Sequence, residues 1–466
     1  MKLAAIALAL MFLAVSPPAL DEVDDYVRAQ MKEQRIPGLA LAIVRHGQIV
    51  KAAGYGVADV DNDVPVTPET VFELASITKQ FTATLIMMLV EEQKIHLDDK
   101  LTSFLTDPPA AWKDITIYHL LTHTAGLAPL GDDFKSAVWR TRMSTAALYE
   151  AAKQDPMGGV PGERWSYSDV GYFLLGMVIE KATGQRYRDA LSQRILQPLQ
   201  MTSSRMLDQL HPQKHLAKGY TLYRDPAASG AEVLVNIRRV VDVELAPHFG
   251  LFSTVHDLAK WDAALYTEKV LKRSSLEQMW SPARLKDGSK NYGFGWELLH
   301  RRGHKLVGHS GLTGTYLLRF PSRGVTVIVL TNLGGWTTPD SQGANARKIA
   351  VDLAAMVEPE LALTPMEDRD PDVTRKVRTV FMTFSDGPVD GTLVSPKVAK
   401  EFAAELEGIR RFKQRFGALQ SIELLDRYDL NGDRVFLYRL TSAAMSMVFE
   451  VHVDPQGTFT EFGPEG

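Results

Sequence analysis

The chain has 466 residues, 45% hydrophobic and 23% charged, with a formal net charge of −4 and no dense block of lysine and arginine. That balance gives no electrostatic footprint for nucleic acid and no polybasic face for anionic lipid. With no cysteine, disulfides and a lipid-modified N-terminal cysteine are excluded, so packing has to supply stability.

Taken in chain order, Met1 to about Leu20 reads as a secretory signal peptide. Lys2 precedes an apolar run from Leu3 to Val15, followed by Ser16-Pro17-Pro18-Ala19, and the run is too short for a membrane span. The mature protein is therefore expected to be exported, to the periplasm or the medium; an uncleaved anchor is the alternative, because no clean small-x-small site precedes Asp21. The rest divides into a catalytic unit over 21–358, a linker over 359–371 rich in proline and acidic residues, and a small α+β domain over 372–466.

Asp21 to about Arg35 has the spacing of an amphipathic helix, ended by Pro37-Gly38. Leu39 to Arg45 and Gln48 to Val57 are strand-like runs that His46-Gly47 joins into a hairpin. A buried helix begins near Ser76 and continues through Phe81, Leu85, Ile86, Leu89 and Val90. From Asp98 to Arg284 short helical patterns alternate with Gly and Pro loops, including helices at Ile117 to Thr124, Gly171 to Lys181 and Val255 to Leu265. Strand signals return at Lys305 to Gly308, Thr315 to Phe320 and Val325 to Asn332, and a helix from Asn345 to Val357 follows. The expected fold is α/β (α+β): an antiparallel sheet assembled from the two ends of the catalytic unit, flanked by helices, with a mainly helical insertion. In the tail, one helix over Lys397 to Phe416 is expected to face four strands, with Asn431-Gly432 at a hairpin turn. Asp429, Asn431 and Asp433 have calcium-loop spacing, but Arg427 and Tyr438 stand where the first and the bidentate ligands belong, so the hairpin is preferred.

Ser76-Ile77-Thr78-Lys79 carries the sharpest chemical signal. Positions i and i+3 share a helix face, which brings the lysine amine to the serine hydroxyl and pairs a nucleophile with a base. No other serine in the chain has a lysine three residues on. Two further clusters follow in order: Pro161-Gly162-Glu163-Arg164-Trp165-Ser166-Tyr167-Ser168-Asp169 ahead of Gly171-Tyr172, then Gly308-His309-Ser310-Gly311 at the end of a short strand.

In that order the clusters match the S-x-x-K, Y-x-N and [K/H]-[S/T]-G boxes of penicillin-recognising serine hydrolases. From about residue 22 to 357 the chain resembles the class C β-lactamase, D-alanyl-D-alanine carboxypeptidase and esterase superfamily. Ile115 to Leu127, Gly250-Leu251-Phe252-Ser253-Thr254 and Tyr292-Gly293-Phe294-Gly295-Trp296 are shared landmarks. The resemblance implies that Ser76 attacks a carbonyl carbon to form an acyl-enzyme, with Lys79, its pKa depressed, as base. It implies that Tyr167 passes a proton to the leaving group and helps to activate water. It places the oxyanion against the backbone N–H groups of Ser76 and Leu312, and turns His309, beside Ser310, into the cleft, where Gly311 lets substrate lie against the strand. No metal or organic cofactor is called for, and the expected partner is a small molecule or short peptide, with oligomeric state open.

One position departs from the pattern: Asp169 stands where the family most often has asparagine, and a carboxylate accepts hydrogen bonds but cannot donate one to a substrate amide. Together with His309 in place of a lysine, this points to an esterase, amidase or D-amino-acid peptidase ahead of an efficient β-lactamase. The alternatives are a true β-lactamase or penicillin-binding protein, and a non-catalytic binding protein of the same fold. Asp169 also fits as a plain helix cap, and His119 and His123 read as structural. His300, His304 and His309 suggest a metal site by number alone, but an offset of five puts His304 and His309 on opposite faces of a strand. An α/β-hydrolase is rejected because no serine sits in a G-x-S-x-G elbow.

Overall fold

Alternation along one buried strand organises the catalytic unit. The structure, a computed structural model, describes residues 20–128, 144–206, 208, 213–224, 232–237, 244–283, 285, 292–335, 341–430 and 432–464. The apolar leader, residues 1–19, lies outside these residues. Strand β1 (Gly38–Arg45) is buried almost throughout. Its Ala40, Ala42 and Val44 enter one core and its Leu39, Leu41 and Ile43 another. Successive strand residues face opposite ways, so an unbroken apolar run is what a strand covered on both faces requires.

The two faces are covered by helices from different parts of the chain. Helix α1 (Leu20–Gln34) supplies Val23 and Val27 to the second core. β1 turns back into β2 (Gln48–Asp59) through His46 and Gly47, both at positive φ (47° and 75°), as a two-residue turn with the twist of its strands requires. β3 (Val64–Pro65) pairs with β2 at the edge. Helix α2 (Thr78–Glu91) runs through the first core, and its expected start is modified: Ser76 lies in a separate 3-10 turn, Ala75–Ile77, that leads into it. Beside α2 pack α3 (Ile117–Leu121) and α4 (Asp169–Thr183), the latter opened by Ser168 and closed by left-handed Gly184 (φ 68°). α5 (Val255–Ala264) covers the same face.

The sheet is completed from the far end of the unit by β4 (Glu297–Arg301), β5 (His304–Gly311), β6 (Thr315–Phe320) and β7 (Val325–Thr331). The order is β3-β2-β1-β7-β6-β5-β4, with β1 and β7 antiparallel from Leu39 opposite Thr331 to Arg45 opposite Val325. The sheet is thus antiparallel and built from both ends, as expected. Helix α6 (Ala346–Val357) covers its second face with Ile349, Ala350 and Leu353.

The tail differs in detail from its sequence reading. A helix that was not expected, α7 (Pro371–Thr383), opens it, and the single expected helix is two, α8 (Pro396–Ala404) and α9 (Leu406–Phe416), parted at Glu405. Pro371 looked like the end of a proline-rich linker, but it occupies the first helical turn, where the missing N–H costs nothing. β8 (Leu419–Leu430), β9 (Asp433–Ser442), β10 (Ser446–Val453) and β11 (Phe459–Pro464) form an antiparallel sheet in that order. Leu430 pairs with Asp433, so Asp429 and Asp433 belong to a hairpin. Its core is separate and rich in phenylalanine, from Val373 to Phe462.

Candidate active site

The backbone at Ser76 is held from two directions. Ala75, immediately before Ser76, has φ 46°, a left-handed conformation that costs a non-glycine residue on the order of 1–3 kcal/mol and persists only under constraint. The constraint is visible. Thr313 Oγ1 donates to Glu73 O (2.7 Å), Thr315 Oγ1 to Leu74 O (3.1 Å) and Thr78 Oγ1 to Ala75 O (2.7 Å). A Cβ on Gly311 would overlap Leu74 O and Thr315 Oγ1. Gly311 is therefore small so that β5 can lie against the segment entering Ser76, a closer cause than the expected room for substrate. Gly295, at φ 77°, packs in the same way on the carbonyl of Lys79.

Lys79 is fully buried, and its Nζ makes three bonds: to Ser76 Oγ at 3.0 Å, Asp169 Oδ1 at 2.6 Å and His248 O at 2.9 Å. Burial pulls this amine below its ordinary value, while the charge and hydrogen bond of Asp169 oppose that shift. For Asp169 itself burial pushes the carboxyl up, but Lys79 and His248 outweigh it and the group lies below the usual range. The cap reading fails for Asp169: Ser168 Oγ accepts from Gly171 N and caps α4, which frees the neighbouring carboxylate to face Lys79.

Tyr167 stands over the amine, with Nζ 4.8 Å from its ring centroid. Burial and the charge of Asp169 raise its pKa well above the usual phenol, and a hydrogen bond with Ser76 works the other way. The structure thus brings Ser76, Lys79, Tyr167 and Asp169 into one cluster.

The third box behaves differently residue by residue. His309 is 1% exposed, and both ring nitrogens are engaged: Nδ1 with Ser310 O at 2.7 Å and Nε2 with the Tyr292 hydroxyl at 2.8 Å. A carbonyl only accepts, so Nδ1 carries the proton and Nε2 accepts from Tyr292. Burial lowers the His309 pKa, Glu297 opposes, and the ring is neutral near pH 7. His309 lies beside the cluster, its ring centroid 6.3 Å from that of Tyr167, but with both nitrogens engaged it orders Tyr292 and offers no spare donor. Ser310 N and Oγ both donate to Glu297 Oε1, at 3.0 and 2.8 Å. Leu312 follows the end of β5 with its side chain 42% exposed, beside the turn that Thr313 ties to Glu73.

Four participants escaped the sequence reading. His123 was read as structural like His119, and His119 does serve a capping box on α3. His123 instead lies under the site, its ring centroid 4.3 Å from Tyr167 and 5.0 Å from Tyr172. Its Nδ1 accepts from Ser168 N at 3.1 Å, so a neutral ring keeps its hydrogen on Nε2, which has no hydrogen-bond partner among the described residues. Burial and then Lys79 drive its pKa well down. His248 is similarly buried, its pKa down to about 3. Tyr292 had a signal, since it opens the Tyr292 to Trp296 landmark, whereas Glu297 had none. His300 stacks on Tyr428, His304 meets Ser322, and His309 meets Tyr292, so these histidines do not converge.

Comparison with known proteins places this arrangement. The beta-lactamase family profile matches residues 23–352. Penicillin-binding protein 4* of Bacillus subtilis (strain 168) is 32% identical over 301 residues, 61% of this chain and 66% of that protein. Protein flp of Staphylococcus aureus (strain MW2) is 28% identical over 329 residues, 68% of this chain and 64% of that protein. The chain thus spans just under two thirds of the length of these curated relatives. Among solved structures, the octameric penicillin-binding protein homologue from Pyrococcus abyssi covers 94% of this chain and is itself covered to 97%, with a TM-score of 0.63 at 24% identity. EstCE1, described as a hydrolase with promiscuous acyltransferase activity, covers 72% and is covered to 98%, with a TM-score of 0.60 at 21% identity. At these identities the structural likenesses speak to the fold.

Proposed function

The chain belongs to the beta-lactamase family, and from that premise we propose that it is a serine hydrolase working through an acyl-enzyme on Ser76. The observation that carries this reading is the bonded series Ser76 Oγ, Lys79 Nζ, Asp169 Oδ1, at 3.0 and 2.6 Å. As Ser76 Oγ attacks the substrate carbonyl, Lys79 takes its proton, and the ammonium that forms is held by a carboxylate already in place. Asp169 thereby does for the lysine what the acid of a serine-histidine-acid triad does for its imidazole. The backbone N–H groups of Ser76 and Leu312 receive the oxyanion, and Tyr167 passes a proton to the departing alcohol or amine. Water then cleaves the ester to Ser76 and releases a carboxylic acid. None of these steps needs a metal.

For substrate class we propose simple esters, amides or D-amino-acid-type peptides ahead of β-lactams. Asp169 is engaged by Lys79 and cannot donate to an acylamino carbonyl, and His309 is buried and neutral, so two usual contacts for a penicillin are missing. The test is labelling with a fluorophosphonate followed by peptide mapping, beside rates on a nitrophenyl ester, a D-alanyl-D-alanine peptide, a D-amino-acid amide and a chromogenic cephalosporin. The expected result is one adduct, on Ser76, with ester or D-residue turnover above cephalosporin turnover. Labelling at another residue, or none, rules the nucleophile out; a cephalosporin preference overturns the substrate class alone.

A further inference from the structure

A second cleft opens where the tail meets the outer face of α6, and the acyl-transfer site does not use it. It encloses about 590 Å³, within the roughly 300–1,000 Å³ typical of small-ligand sites and too little for a folded partner. Val351, Met356, Leu363 and Met447 give it apolar walls from both halves of the chain. Four cations, Arg301, Arg347, Lys348 and Arg439, line it against one acid, Asp352. That acid is already engaged by Lys348 Nζ at 2.7 Å and by the Tyr26 hydroxyl at 2.6 Å. Arg301 Nε donates to the neutral Leu361 carbonyl (2.7 Å), and Arg439 to the Leu363 carbonyl (2.9 Å), with Glu423 at 3.4 Å from it. Arg347 makes no direct hydrogen bond or salt bridge with a described residue, and its charge bears on the buried Glu297 carboxylate. Excess positive charge above apolar walls calls for a ligand carrying both an anion and a hydrocarbon part.

We propose that this seam binds a small amphipathic carboxylate, its acyl chain against Val351, Met356 and Met447 and its carboxylate on Arg347 and Arg439. A bare polyphosphate makes no use of the apolar walls, and a cationic or neutral amphiphile makes no use of the arginines. The site also touches the catalytic unit electrically. Burial raises the Glu297 carboxyl and the charge of Arg347 works against that rise, so an anion at Arg347 reaches the residue that holds Ser310.

The test uses the full chain and isothermal titration calorimetry with sodium decanoate, sodium acetate and decyltrimethylammonium as probes. Decanoate is expected to bind one per chain, acetate and the cation not measurably, and the double variant R347Q/R439Q to weaken decanoate at least tenfold. Equal binding of acetate or of the cation, absent decanoate binding, or affinity unmoved in the double variant overturns the proposal. Should that variant fold poorly, wild-type protein photolabelled with a diazirine-bearing decanoate decides: labels on Val351, Met356 or Met447 support the seam, and labels confined elsewhere contradict it.

Discussion

The catalytic cluster and the tail core are both buried, yet they are made of opposite materials. Around Ser76 the interior holds a lysine amine, a carboxylate, three histidines and two tyrosines packed together, with Ser76, Lys79 and Asp169 in one bonded series. In the tail the interior is valine, leucine and clustered phenylalanine, with the Phe381 ring centroid 5.1–5.4 Å from those of Phe384, Phe416 and Phe449 in tilted and edge-to-face contacts. Buried ion pairs roughly break even against the cost of removing their charges from water, whereas buried aromatic surface is a net gain. The first region therefore gives function at little profit in stability, and the second gives stability with no chemistry.

Mutations should separate the two. Ser76→Ala is expected to cut turnover of a nitrophenyl ester by about 10⁴-fold or more while the melting temperature holds; a smaller loss points to another nucleophile. Phe381→Ala should do the reverse, lowering stability by about 3–5 kcal/mol in denaturant melts with kcat unchanged. Gly311→Ala tests the join between β5 and the nucleophile. Its Cβ has to displace Leu74 or Thr315, and a shift near 1 Å should lower kcat/KM by about 10²-fold. His123→Leu leaves the Ser168 N–H without its acceptor at the base of Tyr167, and kcat is expected to fall about tenfold with KM steady. A change in KM alone would make His123 a packing residue only.

The sheet was legible because its signals are local: the apolar run of β1 and the turn at His46-Gly47. The core of the site was legible because Ser76 and Lys79 lie on one turn and the other boxes keep recognisable flanks. What stayed hidden depends on which side chains meet after folding. Nothing in the chain states that His123 lies beneath Tyr167, 44 residues away, or that Glu297 collects Ser310 and Tyr316. The choice between cap and cleft at Asp169 needed the fact that Ser168, one residue earlier, takes the cap. Helix α7 differs again: it starts at the last residue of the expected linker, and the helical spacing of Val373, Val377, Val380 and Phe381 just beyond is a local signal that the sequence reading did not use.

The smallest expected effect is the most direct test of the Ser76, Lys79 and Asp169 relay: the pH dependence of kcat/KM for wild type and for Asp169→Asn on one ester. Lys79 acts as base only when neutral, so activity is lost as pH falls through its pKa in the free enzyme. Burial lowers that pKa and Asp169 raises it, so the account predicts that removing the carboxylate moves the acidic limb to lower pH. An acidic limb that stays in place or moves to higher pH would contradict it.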